Sequence, residues 1–130
     1  MIVTTLLALA AGSAPIEGRW RSPGGNSIIE IAQCGQSLCG TVAWASARAK
    51  QDSRKATDKL VGTQLLTDVE PRPNGRWQGR LFIPDKNLRV TAKLELTEAG
   101  QLKVSGCAAG RALCKSALWS RANGPLPASD

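Results

Sequence analysis

Apolar and polar residues alternate on both sides of a short glycine-containing turn within residues 27–44. Before the turn, Ile29 and Ile31 alternate with Glu30 and a small residue. After it, Val42 and Trp44 alternate in the same way. A period of two on both sides of such a turn is typical of a β-hairpin. The sequence therefore predicts two antiparallel strands here, with the four large apolar side chains on one face.

Other apolar stretches predict six further strands, which lie at residues 17–22, 60–66, 76–83, 88–97, 102–106 and 117–121. Residues 46–59 are polar and basic and lack strand alternation, so we expect a long loop there with at most one helical turn. Residues 122–130 contain proline and serine and are expected to fray.

The pattern contains about eight short strands, most of them joined by connections as short as those of hairpins. Closing such strands into a barrel leaves no edge strand with unpaired backbone groups. We therefore predict an all-β fold, an antiparallel up-and-down β-barrel of about eight strands. Side chains fill the interior of a barrel of this size, or it holds one small ligand. The alternation pattern leaves both possibilities open.

Residues 1–14 differ from the rest of the chain, because they form an apolar run that ends in small residues. This pattern predicts a signal peptide, with cleavage near Ala10 or Ala11 favoured because Pro15 is a poor residue to follow a cut. The run is too short to cross a bilayer, so no stable membrane span is expected. We expect a periplasmic or secreted protein in which residues 15–130 form a single domain.

Four cysteines in a small exported domain predict disulfides, and four cysteines allow three pairings. The local pairs Cys34–Cys39 and Cys107–Cys114 are preferred, because the first two bracket a short hairpin turn. A four-cysteine zinc site is the alternative. Zinc ligands within a pair are usually about two to four residues apart, which the gap between Cys107 and Cys114 exceeds.

The chain is strongly basic, with a net charge of +7, and it contains neither histidine nor tyrosine. The charge favours anionic partners such as components of the bacterial envelope. Residues 46–59 carry much of it without interleaved aromatic residues, so nucleic-acid binding is not expected. Without histidine, the usual proton shuttle at neutral pH and the commonest nitrogen ligand for metals are both missing. We expect no enzymatic activity, no cofactor and no metal.

Several motifs resemble the DUF2147 family of small exported bacterial proteins, whose function is unknown. They are the Gly-Arg-Trp at residues 18–20, the double-cysteine hairpin at 34–40, the Gly-Arg-Trp-Gln-Gly at 75–79, and Trp119 with Arg121. The resemblance runs from about residue 18 to residue 121. It implies a lipocalin-like, calycin-type barrel in the bacterial envelope.

The Gly18-x-Trp20 motif is also similar to the N-terminal signature of lipocalins, in which a late arginine packs over the tryptophan. That resemblance gives Arg121 the role of packing over Trp20 and tying the last strand to the first. A guanidinium over an indole contributes about 0.5–2 kcal/mol. Gly18, Trp20, Trp119 and Arg121 are therefore expected to be structural.

The predicted function is the binding of a small apolar molecule inside the barrel. We expect eight apolar residues to line the pocket: Ile29, Ile31, Val42, Trp44, Leu81, Val90, Ala92 and Leu94. The alternative is a filled, ligand-free barrel that acts as a basic envelope module and binds an anionic partner. The salt dependence of the affinity distinguishes apolar ligand binding from binding of an anionic partner, because screening weakens contacts between exposed charges far more than it weakens apolar burial.

Overall fold

The computed structural model describes residues 14–108 and 113–128. The predicted signal peptide, except for Ala14, lies outside the described residues. The described chain contains eight antiparallel strands, one short α-helix and three single-turn 3-10 helices within its turns. The strands and the α-helix are β1 Gly18–Arg21, β2 Ser27–Cys34, β3 Ser37–Ala45, α1 Ala47–Asp52, β4 Gln64–Arg72, β5 Arg76–Ile83, β6 Leu88–Leu96, β7 Leu102–Ala108 and β8 Leu113–Arg121.

Each strand pairs with the next one along the chain, and β8 pairs with β1 through Trp20 opposite Arg121. The sheet therefore closes on itself, and the predicted antiparallel up-and-down barrel is confirmed. The turns at 35–36, 73–75 and 97–101 share one end of the barrel, which we call the closed end. The connections at 22–26, 46–63 and 84–87 share the other, which we call the open end.

β4 runs further than the sequence predicted, because it continues through Pro71 to Arg72. The prolines at 71 and 73 had indicated that strand structure ends before them. In the structure, the pairing of β4 with β3 ends at Val69, whereas its pairing with β5 continues to Arg72. Proline lacks a backbone N–H, and such a residue is tolerated where one side of a strand has no neighbour.

The connection from β3 to β4 contains the one α-helix of the described chain, a short α1 where a loop with at most one helical turn was expected. The Ser46 side chain caps it by accepting a hydrogen bond from the Ala49 backbone N–H at 3.1 Å. The same hydroxyl donates to the Asn26 side-chain oxygen at 3.1 Å, which joins the helix start to a neighbouring turn. α1 also contacts the turn Pro84–Lys86, so it lies across the open end.

The closed end of the barrel is filled by side chains. Its core consists of buried residues from all eight strands and from the segment before β1: Ile16, Trp20, Ile29, Ile31, Leu38, Leu66, Val69, Trp77, Ala92, Leu94, Leu102, Val104 and Trp119. A separate buried cluster of Val42, Ala45 and Leu60 lies beneath α1. The main core of the barrel therefore lies at the closed end, and a smaller cluster lies at the open end.

Arg121 and Trp20 form the predicted contact at the closed end, with the guanidinium carbon 3.9 Å from the ring centroid. The guanidinium also donates to the carbonyl oxygens of Glu17 at 2.7 Å and Pro15 at 3.1 Å. The Trp20 indole donates to the carbonyl oxygen of Ile16 at 2.9 Å. These bonds hold the segment before β1 against the base of the barrel.

Ala14, the last residue of the predicted signal peptide, takes part in this fold. Its N–H donates to the Glu17 carboxylate at 2.8 Å, and its carbonyl accepts from the Glu17 N–H at 3.0 Å. Ala14 also packs against the closed-end core. The described barrel structure thus begins before β1.

Both predicted disulfides are present, Cys34–Cys39 and Cys107–Cys114. The first joins the two sides of the β2–β3 hairpin, and the second joins β7 to β8, in which the two cysteines are directly paired in register. Because all four cysteines are oxidised, none supplies a thiolate for the alternative zinc site.

Candidate functional site: a cavity at the open end

A cavity of about 730 Å³ occupies the open half of the barrel, between α1 and the packed closed-end core. Its wall is mainly apolar and comes from β2 to β8, from the connection that contains α1, and from the β1–β2 and β5–β6 turns. The large apolar residues that line it are Val42, Leu60, Leu65, Leu81, Phe82, Ile83, Leu88, Val90, Val104 and Trp119, and the alanines that line it are Ala49 and Ala117.

Small residues on the inner face of the barrel help to explain why the open half contains a cavity. Paired residues of an antiparallel sheet share a face. Ala92 pairs with Gly106, and Gly106 pairs with Lys115, so all three lie on the inner face that buried Ala92 occupies. Ala117 lies two residues further along β8 on the same face. Gly106 and Ala117 therefore contribute little side-chain volume where they line the cavity.

The floor of the cavity is the upper surface of the closed-end core. Val104 and Trp119 belong both to that core and to the cavity wall. Trp119 is only 6% exposed, so its ring packs against the core as predicted while part of it faces the cavity. The floor is therefore closely packed and apolar.

The side of the cavity nearest α1 is closed by Ala49, Ser53 and Leu60. Ser53 is the buried polar residue of the described chain, at 5% exposure. Asp52 reaches the cavity and forms an ion pair with Arg48 one helical turn away, at 3.9 Å. α1 therefore forms a partial cover over the mouth.

Three further charged residues line the cavity near its mouth. Asp85 and Lys86 belong to the exposed turn between β5 and β6, and Lys115 belongs to β8. Ser22, Asn26, Ser27 and Ser116 supply the remaining polar groups. The site thus combines an apolar interior with a polar, charged rim.

The structure places three of the eight predicted pocket residues on the cavity wall: Val42, Leu81 and Val90. Four others, Ile29, Ile31, Ala92 and Leu94, lie in the packed closed-end core at 0–1% exposure. Alternation correctly indicated that they face inward. It carries no information on their depth along the barrel, and these four lie below the floor.

Trp44 lies on the outer face of the barrel, contrary to the sequence interpretation. Ile29 pairs with Val42 but Ile28 pairs with Trp44, so β3 has one extra residue at Ala43. Such a bulge shifts the alternation by one residue. Ala45 therefore joins Val42 in the buried cluster, and Trp44 turns away from it.

The Trp44 indole N–H donates to the carbonyl oxygen of Ala128 at 3.2 Å. The described part of the C-terminal segment, which was expected to fray, therefore folds back along the outside of the barrel. This contact gives the outward-facing ring a partner.

Lys115 lines the cavity but was not among the predicted pocket residues. The predicted last strand begins at residue 117, whereas β8 begins at Leu113. With the longer strand, the alternation of Lys115, Ala117 and Trp119 would have placed the lysine on the inner face. The residues contributed by α1 carried no comparable signal, because a loop has no periodicity that fixes its position over a barrel.

In residues 14–108 and 113–128, no three acidic, cysteine or histidine side chains gather in a way that could hold a metal ion. Over the same residues, no helix is both long and apolar enough to span a membrane.

Comparison with solved structures shows a similar fold in protein HP1028 from the human pathogen Helicobacter pylori, which is described as belonging to the lipocalin family. The two chains are 11% identical, the match covers 85% of each, and the TM-score is 0.63. At this identity the likeness concerns the fold, which is a lipocalin-like barrel. No curated protein matches the chain.

A family model described as an uncharacterized protein conserved in bacteria (DUF2147) matches residues 18–121. The match begins at the glycine that starts β1 and ends at the arginine that ends β8. It therefore spans the whole barrel and most of the chain. The chain belongs to the DUF2147 family.

Proposed function

We propose that this protein binds a small, largely apolar molecule in the cavity at the open end of the barrel. The cavity itself is the observation that carries the proposal, because its volume of about 730 Å³ falls within the roughly 300–1,000 Å³ typical of small-molecule sites. Its wall is apolar and its polar groups are concentrated near the mouth, an arrangement that suits such ligands.

Binding would be driven by removal of the ligand's apolar surface from water, at about 25 cal/mol per Å² before the costs of ordering. The chain has no histidine, which is the usual proton shuttle at neutral pH. We therefore infer that the protein binds its ligand without chemical conversion, and that it needs no cofactor.

We place this activity outside the cytoplasm, in the periplasm or the medium. The apolar leader at residues 1–14 supports export. The two disulfides support an oxidising compartment.

Native mass spectrometry of the protein after export to a bacterial periplasm and gentle purification tests this proposal. The expected result is an adduct that is present under native conditions and leaves on denaturation. A bare mass, together with a partner interaction that weakens steeply with salt, would instead support the basic envelope module.

A further inference from the structure

One charged side chain, that of Lys115, is found among the described strand residues that line the cavity. Many strand residues line the cavity, and among those of the described strands Lys115 is the charged one. Its place in the register, opposite Gly106 and in line with buried Ala92, puts it on the inner face. Trp119 lies four residues along the same strand, at the floor. Lys115 thus lies at the mouth of an apolar shaft.

Lys115 has no carboxylate partner among residues 14–108 and 113–128. The ion pairs there are Arg19–Glu30, Arg48–Asp52 and Arg76–Glu95. Asp52, one of the two acids that line the cavity, is therefore already paired with an arginine. The other, Asp85, belongs to the rim turn and is followed there by Lys86. The Lys115 ammonium group therefore remains at the mouth without an ion-pair partner among the described residues.

We propose that the ligand is an amphiphile whose anionic head group binds Lys115 at the mouth, while its apolar chain lies along the wall towards Trp119. This inference rests on the proposed function and specifies the chemistry of the ligand. The distance from Lys115 to Trp119 is about 13 Å, at about 3.3 Å per strand residue. A medium-length hydrocarbon chain spans it.

The arrangement favours this orientation over the reverse. An apolar chain buried against Leu81, Val90 and Val104 leaves its head group at the level of Lys115, where solvent and the ammonium both meet it. A cationic head group at the same position faces the unpaired lysine and is disfavoured. A neutral head group gains nothing from the charge.

Displacement of the apolar fluorescent probe N-phenylnaphthylamine from the full chain tests the inference. Four competitors share one hydrocarbon chain and differ in head group: laurate, lauryl phosphate, lauryl alcohol and laurylamine. Each is used below the concentration at which micelles form. We expect the two anionic compounds to bind more tightly than the alcohol, and the amine to bind most weakly. Comparing the affinities of laurate and lauryl phosphate shows whether the mouth prefers a carboxylate or a phosphate.

The Lys115→Met variant removes the charge and keeps much of the apolar stem. We expect it to weaken binding of the preferred anionic compound about fivefold, the upper range for a solvent-exposed charge pair, and to leave the alcohol unchanged. The matched control is Lys93→Met. Lys93 is exposed and lies between Ala92 and Leu94 on the outward register of β6. This variant makes the same charge change and should leave all four affinities unaltered.

Failure of the inference and failure of the proposed function give different results. If the wild-type protein binds the alcohol and the anions equally, or if Lys115→Met leaves anion binding intact, the inference is overturned while the apolar site stands. If neither the probe nor any of the four compounds binds, the proposed function fails and the inference fails with it.

Discussion

Arg121 is the residue that joins the last strand to the first at the closed end of the barrel. Its guanidinium stacks on Trp20 and donates hydrogen bonds to two carbonyl oxygens of the segment before β1. Gly18 makes room for it, because a Cβ on Gly18 would lie 2.7 Å from the guanidinium and the backbone φ there is +117°. The family resemblance predicted the stacking, but nothing in the sequence indicated the two carbonyl contacts.

Replacing Arg121 by methionine should lower the free energy of unfolding by about 2 kcal/mol, through loss of the cation–π contact and of both hydrogen bonds. Urea denaturation measures this change. Arg76→Met is the matched control, since Arg76 forms only an exposed ion pair with Glu95 at 3.8 Å. Its cost should stay below about 1 kcal/mol. Equal costs for the two variants would show that Arg121 does not tie the strands together.

Gly79 is required for a different reason, the close approach of β4 to β5. A Cβ at Gly79 would lie 2.7 Å from the Thr67 carbonyl oxygen and 2.9 Å from the Val69 Cα. Backbone atoms cannot give way as a flexible side chain can. The sequence showed the glycine within a strand but not the neighbour that excludes a larger residue.

Gly79→Ala should therefore destabilise the barrel by about 2 kcal/mol or more, as overpacking of a core does. Gly35→Ala is the comparison. Its Cβ would meet nothing within 4 Å, so only the left-handed backbone, with φ of +71°, adds a cost, of roughly 1 kcal/mol. Thermal unfolding of both variants measures the difference. A smaller loss at Gly79 than at Gly35 would contradict the packing described for β4 and β5.

Strands whose ends carry strong turn residues were predicted closely. β5 has the predicted bounds, since the Asn-Gly pair at 74–75 precedes it and Pro84 follows it. β3 was predicted less well, because a bulge adds a residue without a sequence signature of its own. One inserted residue at Ala43 was enough to move Trp44 from the interior to the outer surface.

The helix over the mouth depends on its N-cap. Ser46→Ala removes the bond from Ala49 and the bond to Asn26, and loss of such a cap costs about 1 kcal/mol. Because α1 is short and lies at the edge of the fold, the cost should appear as local opening. Hydrogen exchange at the Ala49 and Lys50 amides should become several-fold faster, while exchange in β5 and β6 stays unchanged.

Ser120→Ala, which changes an exposed serine on β8, is the control and should leave exchange in α1 as it is in the wild-type protein. Unchanged exchange at Ala49 in the Ser46 variant would mean that the cap does not hold the helix over the cavity.

At the level of the whole molecule, the closed barrel was predictable and the division of its interior was not. Alternation along each strand states which side chains face inward. Whether they fill the space depends on residues that meet from different strands, such as Gly106, Ala117 and Val42 on the cavity wall, and on the height at which they meet. That height is set by register and shear, which no single strand encodes. The predicted pocket therefore extended too deep, into residues that form the floor.

Filling the cavity tests whether the open end holds an apolar binding site. Ala117→Phe places a ring on the inner face of β8 at the cavity wall. Leu118→Phe, the adjacent and outward-facing change at a side chain that is 47% exposed, is its control. Titration with N-phenylnaphthylamine measures binding, and circular dichroism verifies the fold. We predict that the first variant loses binding while the second keeps it. Equal probe binding by both folded variants would show that the cavity at the open end is not the apolar binding site.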